Sequence, residues 1–290
     1  MANWMAASGD SAGSTETLAL LVWLREAVHN LGCSIKPGSR LAAFEKRLQR
    51  FEDPIYRPAR DPDFDPVAMS HGARDLRELA FICRTLAPLH SDKLRAVLPT
   101  LLRGPVVPGD KPQNERPRNL QFEYFLAAQL VHSGLLVTLE EPDMIFVHDS
   151  ESVPLAAKRM TRAGQVIPRL REAVSQLNRA GDRGLVALSL DRLLPVSPPY
   201  VGARSEQALD DAAATLLVQA LRPHAAAARE VTRKSDILGL IVCVCIVGFI
   251  GAPWHPAFES AMLLVPRDDD LPEETETVKK IVAALRAPSE

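Results

Sequence analysis

Two short segments near the middle of the chain carry residues whose types and spacing could act on a phosphate group. The segment PDMIFVHD carries Asp143 near its start, and SVPLAAKR carries Lys158 near its end. Both segments are rich in β-branched and apolar residues, which predicts two neighbouring strands. A hairpin with a two-residue turn at Ser150 and Glu151 places Asp143 opposite Lys158, with Ala156 on the same face.

A carboxylate beside a lysine is part of the set of groups that hydrolyses phosphodiesters. Divalent cations such as Mg²⁺ take carboxylate oxygens as ligands. They stabilise the charge of the phosphate and activate water. A nearby lysine positions or deprotonates the nucleophile, or offsets charge in the transition state. The hairpin therefore predicts phosphodiester chemistry if a second carboxylate joins Asp143.

The order of elements over residues 119–195 resembles the core of the PD-(D/E)xK nuclease superfamily, which runs helix, three strands, helix, strand. NLQFEYFLAAQLVHSG and VIPRLREAVSQL match the two helices, and Pro142-Asp143 and Ala156-Ala157-Lys158 match the two motif elements. The resemblance implies a site to which both helices and both motif strands contribute residues. The corresponding residues are Glu123, Asp143, Ala156, Lys158 and Gln176. It also implies Mg²⁺ or Mn²⁺ bound by Asp143 and Glu123, with Lys158 serving the nucleophile.

Ala156 departs from the superfamily pattern, because a methyl group cannot bind a cation where the family has an acidic ligand. Three explanations are open. The substitution is an engineered inactivation, the protein is a natural pseudo-nuclease, or a carboxylate from elsewhere replaces the missing one. LAAKR reads naturally as LEAKR, which favours the engineered Glu-to-Ala change. The candidates for a migrated carboxylate are Glu123, Glu140, Glu141 and Glu151.

The charge composition excludes an overall basic field that would attract nucleic acid. The chain has 34 lysines and arginines against 36 acidic residues, a net charge of −2, so binding must use a local patch. Several basic residues lie close together in sequence: Lys158, Arg159, Arg162, Arg169 and Arg171. Any one of them can equally be a solvated helix charge. Arg159 and Arg162 are predicted to bind nucleic acid, with DNA as the expected partner and RNA as the alternative.

Other motif-based functions find no support in the sequence. The seven histidines form no HExxH pattern, and the Walker A, GxGxxG and GxSxG motifs are absent. The four cysteines lack the spacing of a zinc site, and we expect buried, reduced thiols in a cytoplasmic protein. The first residues lack the basic and apolar regions of a secretory signal.

The chain as a whole predicts an α/β fold with a helical N-terminal region. Amphipathic segments fill residues 1–103, and a Pro-, Gly- and charge-rich linker follows at 104–118. Residues 119–290 are expected to form a restriction-endonuclease-like mixed β-sheet flanked by helices, ending in a charged helix at about 273–285. The apolar run 237–252 is predicted to be a buried strand, with a membrane span as the weaker alternative.

These features lead to two functional hypotheses. The first is a nuclease for metal-dependent hydrolysis of DNA, which Ala156 has inactivated in this chain. Restriction or phage defence is the setting expected for it. The second is a non-catalytic module of the same fold that binds nucleic acid or assembles a larger complex. In either case the helical N-terminal region could bind a protein partner or a second copy of the chain, and no membrane association is expected.

Overall fold

The computed structural model describes residues 12–52, 61–107, 115–148, 150–181, 183–194, 200–250, 255–266 and 281. The helices within these residues are α1 (Ala12–Asn30), α2 (Arg40–Leu48), α3 (Pro66–Leu101), α4 (Arg116–His132), α5 (Val166–Ala180), α6 (Glu206–Leu221) and α7 (Ala225–Lys234). The strands are β1 (Leu136–Thr138), β2 (Met144–His148), β3 (Glu151–Arg159), β4 (Leu185–Ser189), β5 (Tyr200–Ala203), β6 (Gly239–Ile250) and β7 (His255–Pro266).

The chain divides into two compact units. The first unit comprises residues 1–118, 196–209 and 246–259, and the second comprises 119–195, 210–245 and 260–290. The first boundary lies at the end of the predicted linker 104–118, the last residues of which form the start of α4. Residues 108–114 of that linker lie outside the described residues.

The first unit is built on the packing of α1, α2 and α3. Ser39 caps the N-terminus of α2 by accepting a hydrogen bond from the backbone N–H of Ala42, and Asp65 caps α3 through that of Ala68. The core between the helices is apolar and includes Leu24, Val28, Leu41, Phe44, Leu76, Leu79, Ile82 and Leu86. The amphipathic spacing in the sequence predicts these three helices, and the structure contains them.

A buried group of charges lies inside the first unit. The carboxylate of Asp75 is 2.7 Å from Nη2 of Arg118 and 3.4 Å from Nη1 of Arg40, and all three residues are buried. Arg118 also donates to the backbone oxygens of Pro105 and Val106. Although burial raises the pKa of Asp75, the guanidinium groups of Arg40 and Arg118 hold this pKa below its ordinary value. Within the first unit, these contacts tie Arg118 to α2 and α3.

The strands form one mixed sheet in the order β1-β2-β3-β4-β6-β5, with β7 also paired to β6. The pairs β1–β2 and β2–β3 are antiparallel, whereas β3–β4, β4–β6 and β5–β6 are parallel. All five residues of the central strand β4 are buried, as expected of a parallel strand covered on both faces.

Close packing in the second unit requires a glycine before β4. A Cβ atom on Gly184 would lie 2.3 Å from the backbone oxygen of Pro154 in β3. The backbone oxygen of Gly184 also accepts a hydrogen bond from Leu238, just before β6. The turn that delivers β4 between β3 and β6 therefore has no room for a side chain.

The predicted fold class is confirmed as an α/β arrangement with a seven-stranded mixed sheet, flanking helices and a helical N-terminal region. Two elements differ from expectation. The Ala-rich segment 205–230 forms two helices, α6 and α7, separated by a 3₁₀ turn at Arg222–His224 that contains a proline. Strand β5 begins at Tyr200, the last residue of the Pro-rich run LLPVSPPY, which predicts a loop, and no strand is predicted between that run and the Ala-rich segment.

The apolar run near the C-terminal end forms the strand β6, as predicted. Among the described residues, no helix has both the length and the apolar composition needed to cross a bilayer. All four cysteines are free thiols, but only Cys83 and Cys243 are buried, since Cys33 and Cys245 are partly exposed. Apart from Ile281, which is helical and buried, the helix predicted at 273–285 lies outside the described residues.

Candidate functional site

The β2–β3 hairpin has a different register from the one predicted. Met144 pairs with Leu155 and His148 pairs with Glu151, so β2 ends at His148 and β3 begins at Glu151. The turn lies one residue earlier than predicted, at Ser150 in a left-handed conformation (φ 69°). Each β2 residue therefore faces a β3 residue two positions earlier than expected. Continuing this register places Asp143 opposite Ala156 rather than Lys158.

The displacement by two residues leaves the site on one face of the hairpin, because side chains alternate with a period of two. Oδ2 of Asp143 accepts a hydrogen bond of 2.7 Å from the backbone N–H of Ala157. The same oxygen is 3.4 Å from Nζ of Lys158, and the two side chains are only 13% and 12% exposed. Asp143 and Lys158 are thus brought together as the sequence predicted, although diagonally rather than directly across the strands.

Glu123 lies in the middle of α4, and the charges of Asp143 and Lys158 affect its pKa. Burial and, after it, the nearby negative charge of Asp143 raise the pKa of Glu123 to about 8, against the opposing effect of Lys158. Burial also raises the pKa of Asp143, against the opposing effects of Lys158 and the Ala157 hydrogen bond. Two half-buried carboxylates whose pKa values are both raised form an environment that a cation would stabilise.

Ala156 is fully buried, and its methyl group supplies no ligand. The described residues contain no cluster of three or more acidic, histidine or cysteine side chains arranged to hold a metal ion. Two carboxylates, Glu123 and Asp143, are nevertheless a donor set that fits Mg²⁺, which is commonly held by one or two protein carboxylates with water and substrate oxygens. The residues present fit a divalent cation whose protein ligand set lacks one member.

The candidates for a migrated carboxylate differ in their exposure and in their distance from the site. Glu151 begins β3, five residues from Ala156 along an extended strand, which corresponds to roughly 16 Å. Glu140 is exposed before β2. Glu141 is exposed as well, yet its charge raises the pKa of both Glu123 and Asp143, so it lies near the site. Glu123 remains the candidate that is half-buried and close enough to Asp143 for the charge of Asp143 to raise its pKa.

Arg159 takes a different position from its neighbour Lys158. Its guanidinium is buried and lies 3.4 Å from Oδ2 of Asp191, with both side chains 6% exposed. Oδ1 of Asp191 accepts a hydrogen bond of 2.8 Å from the backbone N–H of Cys245 in β6. The structure thus gives Arg159, predicted to bind nucleic acid, a buried partner that links the end of β3 to the middle of β6.

The other two predicted residues lie in the loop before α5 and in α5 itself. Arg162 is exposed just before a 3₁₀ turn that leads into α5, in the loop that follows Lys158. Gln176 lies in α5, which packs against β3. Its Oε1 is buried and accepts no hydrogen bond from the described residues. No contact in the described residues joins Gln176 to Asp143 or Lys158.

Sequence reasoning missed Asp191. The residue follows β4 in a short 3₁₀ turn and has the appearance of an ordinary loop acid. Its role depends on the parallel pairing of β3, β4 and β6, which brings Arg159, Ser189 and Cys243 into register. No local signal in the sequence specifies that pairing, although an acid just beyond a buried apolar strand is a weak indication of a partner.

Comparison of the chain with protein-family models, with curated proteins and with solved structures finds no match.

Proposed function

We propose that the second unit is built for metal-dependent hydrolysis of phosphodiester bonds in DNA and that Ala156 removes one metal ligand from it. The observation that carries the proposal is the position of Asp143. Its carboxylate is held by the Ala157 N–H and by Lys158, directly across the hairpin from the fully buried Ala156. A carboxylate at 156 would therefore stand beside Asp143 on the face that Lys158 shares.

Glu123 and Asp143 are the residues that would hold Mg²⁺ or Mn²⁺. When bound, the cation stabilises negative charge on the phosphate and lowers the pKa of a coordinated water. Lys158 lies next to Asp143 and is half enclosed, so its ammonium group is positioned to orient a nucleophile or to offset phosphate charge. The raised pKa of Glu123 means that this carboxyl group loses its proton most readily when a cation is present.

The proposal includes the restriction-endonuclease-like fold. Its support is the succession α4, β1, β2, β3, α5 and β4, in which the first three strands are antiparallel and β4 is parallel to β3. That order is the one implied by the resemblance to PD-(D/E)xK nucleases. Restriction or phage defence is the biological setting that the same resemblance suggests, with DNA as substrate and RNA as the competing one.

Ala156 itself favours a second function, a nuclease-fold module that binds nucleic acid or a protein partner without cutting. The methyl group is completely buried, and the described residues offer no third acidic ligand beside Glu123 and Asp143. A protein with this site would bind without a requirement for metal. The helical first unit would then serve binding or assembly, through a partner or a second copy of the chain.

The test is to compare the chain with its Ala156→Glu variant on plasmid DNA, linear DNA and RNA, each with Mg²⁺, Mn²⁺ or EDTA. We expect cleavage by Ala156→Glu alone, abolished by EDTA and by adding Asp143→Ala. Ala156→Gln is the matched control, because it fills the same space without a charge. Cleavage by the unaltered chain would point to a replacement carboxylate, and inactivity of all variants on every substrate would favour the non-catalytic module.

A further inference from the structure

Helices α5 and α7 of the second unit pack side by side and present arginines to solvent. Arg171 and Arg179 are exposed on α5, and Arg229 and Arg233 are exposed on α7. We call these four residues the α5–α7 arginine surface. They lie outside the Asp143–Lys158 hairpin and take no part in the metal site proposed above.

The charge of this surface contrasts with that of the rest of the chain. Helix α5 contains three arginines and one glutamate, a net charge of +2, and α7 contains two arginines, one lysine and one glutamate, again +2. The whole chain has a net charge of −2, and α6 contains three acids and no base. Positive charge is therefore concentrated on two adjacent helices of a weakly acidic protein.

The acidic residues on these helices are paired locally. Glu172 accepts a hydrogen bond of 2.6 Å from Arg169, and Glu230 accepts one of 2.6 Å from Lys234. The pKa of Glu230 is lowered first by Lys234 and then by Arg233 and Arg171. Because Arg171 belongs to α5, the charged faces of the two helices adjoin. The excess positive charge resides on the α5–α7 arginine surface.

The spacing along α7 suits a regular array of negative charges. Arg229 and Arg233 are four residues apart in α7, which places them on one helix face. They are about 6 Å apart along the helix axis, a distance over which one strand of duplex DNA presents about two phosphates. Arginine binds phosphate oxygens through its forked N–H groups.

The direction of the two helices connects this surface with the site. Strands β3, β4 and β6 are parallel, α5 connects β3 to β4, and α7 precedes β6. A helix that returns the chain between parallel strands begins at their carboxyl-terminal edge. Lys158 lies at that edge, near the end of β3. Helix α5 therefore begins at the edge of the sheet that holds Lys158, and the arginine surface leads away from that edge toward the amino-terminal ends of β4 and β6.

We propose that the α5–α7 arginine surface binds the phosphodiester backbone of a nucleic acid whose neighbouring segment occupies the Asp143–Lys158 site. The inference rests on the proposed function for the identity of the ligand, and it adds the surface that would hold the flanking duplex. An anionic membrane surface is the competing occupant, since it also presents phosphates, and it is an outcome of the test below.

The test measures binding of a 30-base-pair duplex DNA by fluorescence anisotropy in EDTA at several salt concentrations. The variant carries Arg171→Glu, Arg229→Glu and Arg233→Glu. Its matched control carries Lys36→Glu, Lys93→Glu and Arg103→Glu, which change the net charge equally at exposed positions of the first unit. We expect the surface variant to weaken binding by at least about tenfold, and the salt dependence of log K to decrease by about 0.9 per lost contact.

A triple Arg→Gln variant at the same three positions keeps the test valid if charge reversal disturbs folding, which circular dichroism would reveal. Equal weakening in both triple variants would overturn the proposal, because the effect would then be one of net charge. Failure of the unaltered chain to bind DNA would overturn it as well, as would binding to vesicles with 30% phosphatidylserine but not to DNA. Cleavage by Ala156→Glu is measured separately, so either proposal can fail alone.

Discussion

Asp143 reaches across the β2–β3 hairpin and accepts a 2.7 Å hydrogen bond from the backbone N–H of Ala157. A carboxylate that precedes β2 is thus fixed by the strand that carries Lys158. This single contact sets the distance between the two charged groups of the candidate site, independently of any bound cation.

Replacing Asp143 with alanine should destabilise the protein even where catalysis is not measured. The substitution leaves the Ala157 N–H without its acceptor and the half-enclosed Lys158 without its partner. We expect a loss of ~1–3 kcal/mol in the free energy of unfolding, measured by urea denaturation. Lys158→Met added to Asp143→Ala should recover part of the loss. If the two substitutions contribute additively, Asp143 and Lys158 do not interact.

Introducing a carboxylate at 156 should make stability depend on divalent cations. In EDTA, Ala156→Glu adds a third acid to a buried site whose two carboxylates already have raised pKa values, and the melting temperature should fall. Millimolar Mg²⁺ or Mn²⁺ should restore it, because a ligand that binds only the folded state stabilises that state. Ala156→Gln should show no such recovery. A similar response of both variants to the cations would contradict a metal site at this position.

Stability of the metal-free protein should decline as the pH rises through the range in which Glu123 ionises. The pKa of Glu123 is about 8 in the folded protein, because of burial and Asp143, against an ordinary value of 4.5. The stabilisation from neutral Glu123 is complete below pH 4.5 and is lost as the pH rises through 8. Urea denaturation in EDTA between pH 5 and pH 9 measures this decline. Glu123→Gln should flatten it, and an unchanged slope would refute the assignment.

Asp191→Asn should destabilise the protein through the buried charge of Arg159. Asparagine keeps an oxygen for the Cys245 N–H but leaves the guanidinium of Arg159 without its counter-charge. Breaking a buried ion pair in this way costs about 3–5 kcal/mol. The double variant Arg159→Met with Asp191→Asn should be clearly more stable than Asp191→Asn in chemical denaturation. Similar stability of the two variants would show that Arg159 has another partner that suffices.

The sequence predicts most elements of the second unit because their signals are local. The apolar runs at β3, β4 and β6 and the amphipathic repeat of α5 are each set by neighbouring residues. Strand β5 escaped prediction because its pairing with β6 is long-range, and its surroundings are rich in proline. Propensity cannot show that a distant strand will accept a short partner.

The sequence predicts that Asp143 and Lys158 belong to the candidate site, but it does not predict how the two residues are arranged. Asp143 and Lys158 follow from residue type and from alternation along the strands, which a register displaced by two residues preserves. The exact partner of Asp143 depends on which residues form the hairpin loop, and Ser150 in a left-handed conformation sets this. The burial of Arg159 could not be foreseen either, because its partner Asp191 lies more than thirty residues away in sequence and meets it only through the parallel pairing of β3 and β4.

In any chain that shares this site and the short β2–β3 loop, the number of residues between the positions of Asp143 and Ala156 is expected to be even. Twelve residues separate Asp143 from Ala156, and both must stay on one face of the sheet. Gain or loss of two residues in this interval would lengthen or shorten the hairpin and keep the faces. A single insertion would turn one strand over unless a bulge absorbed it. Related chains should therefore vary here in even steps, and an odd step should coincide with a bulge.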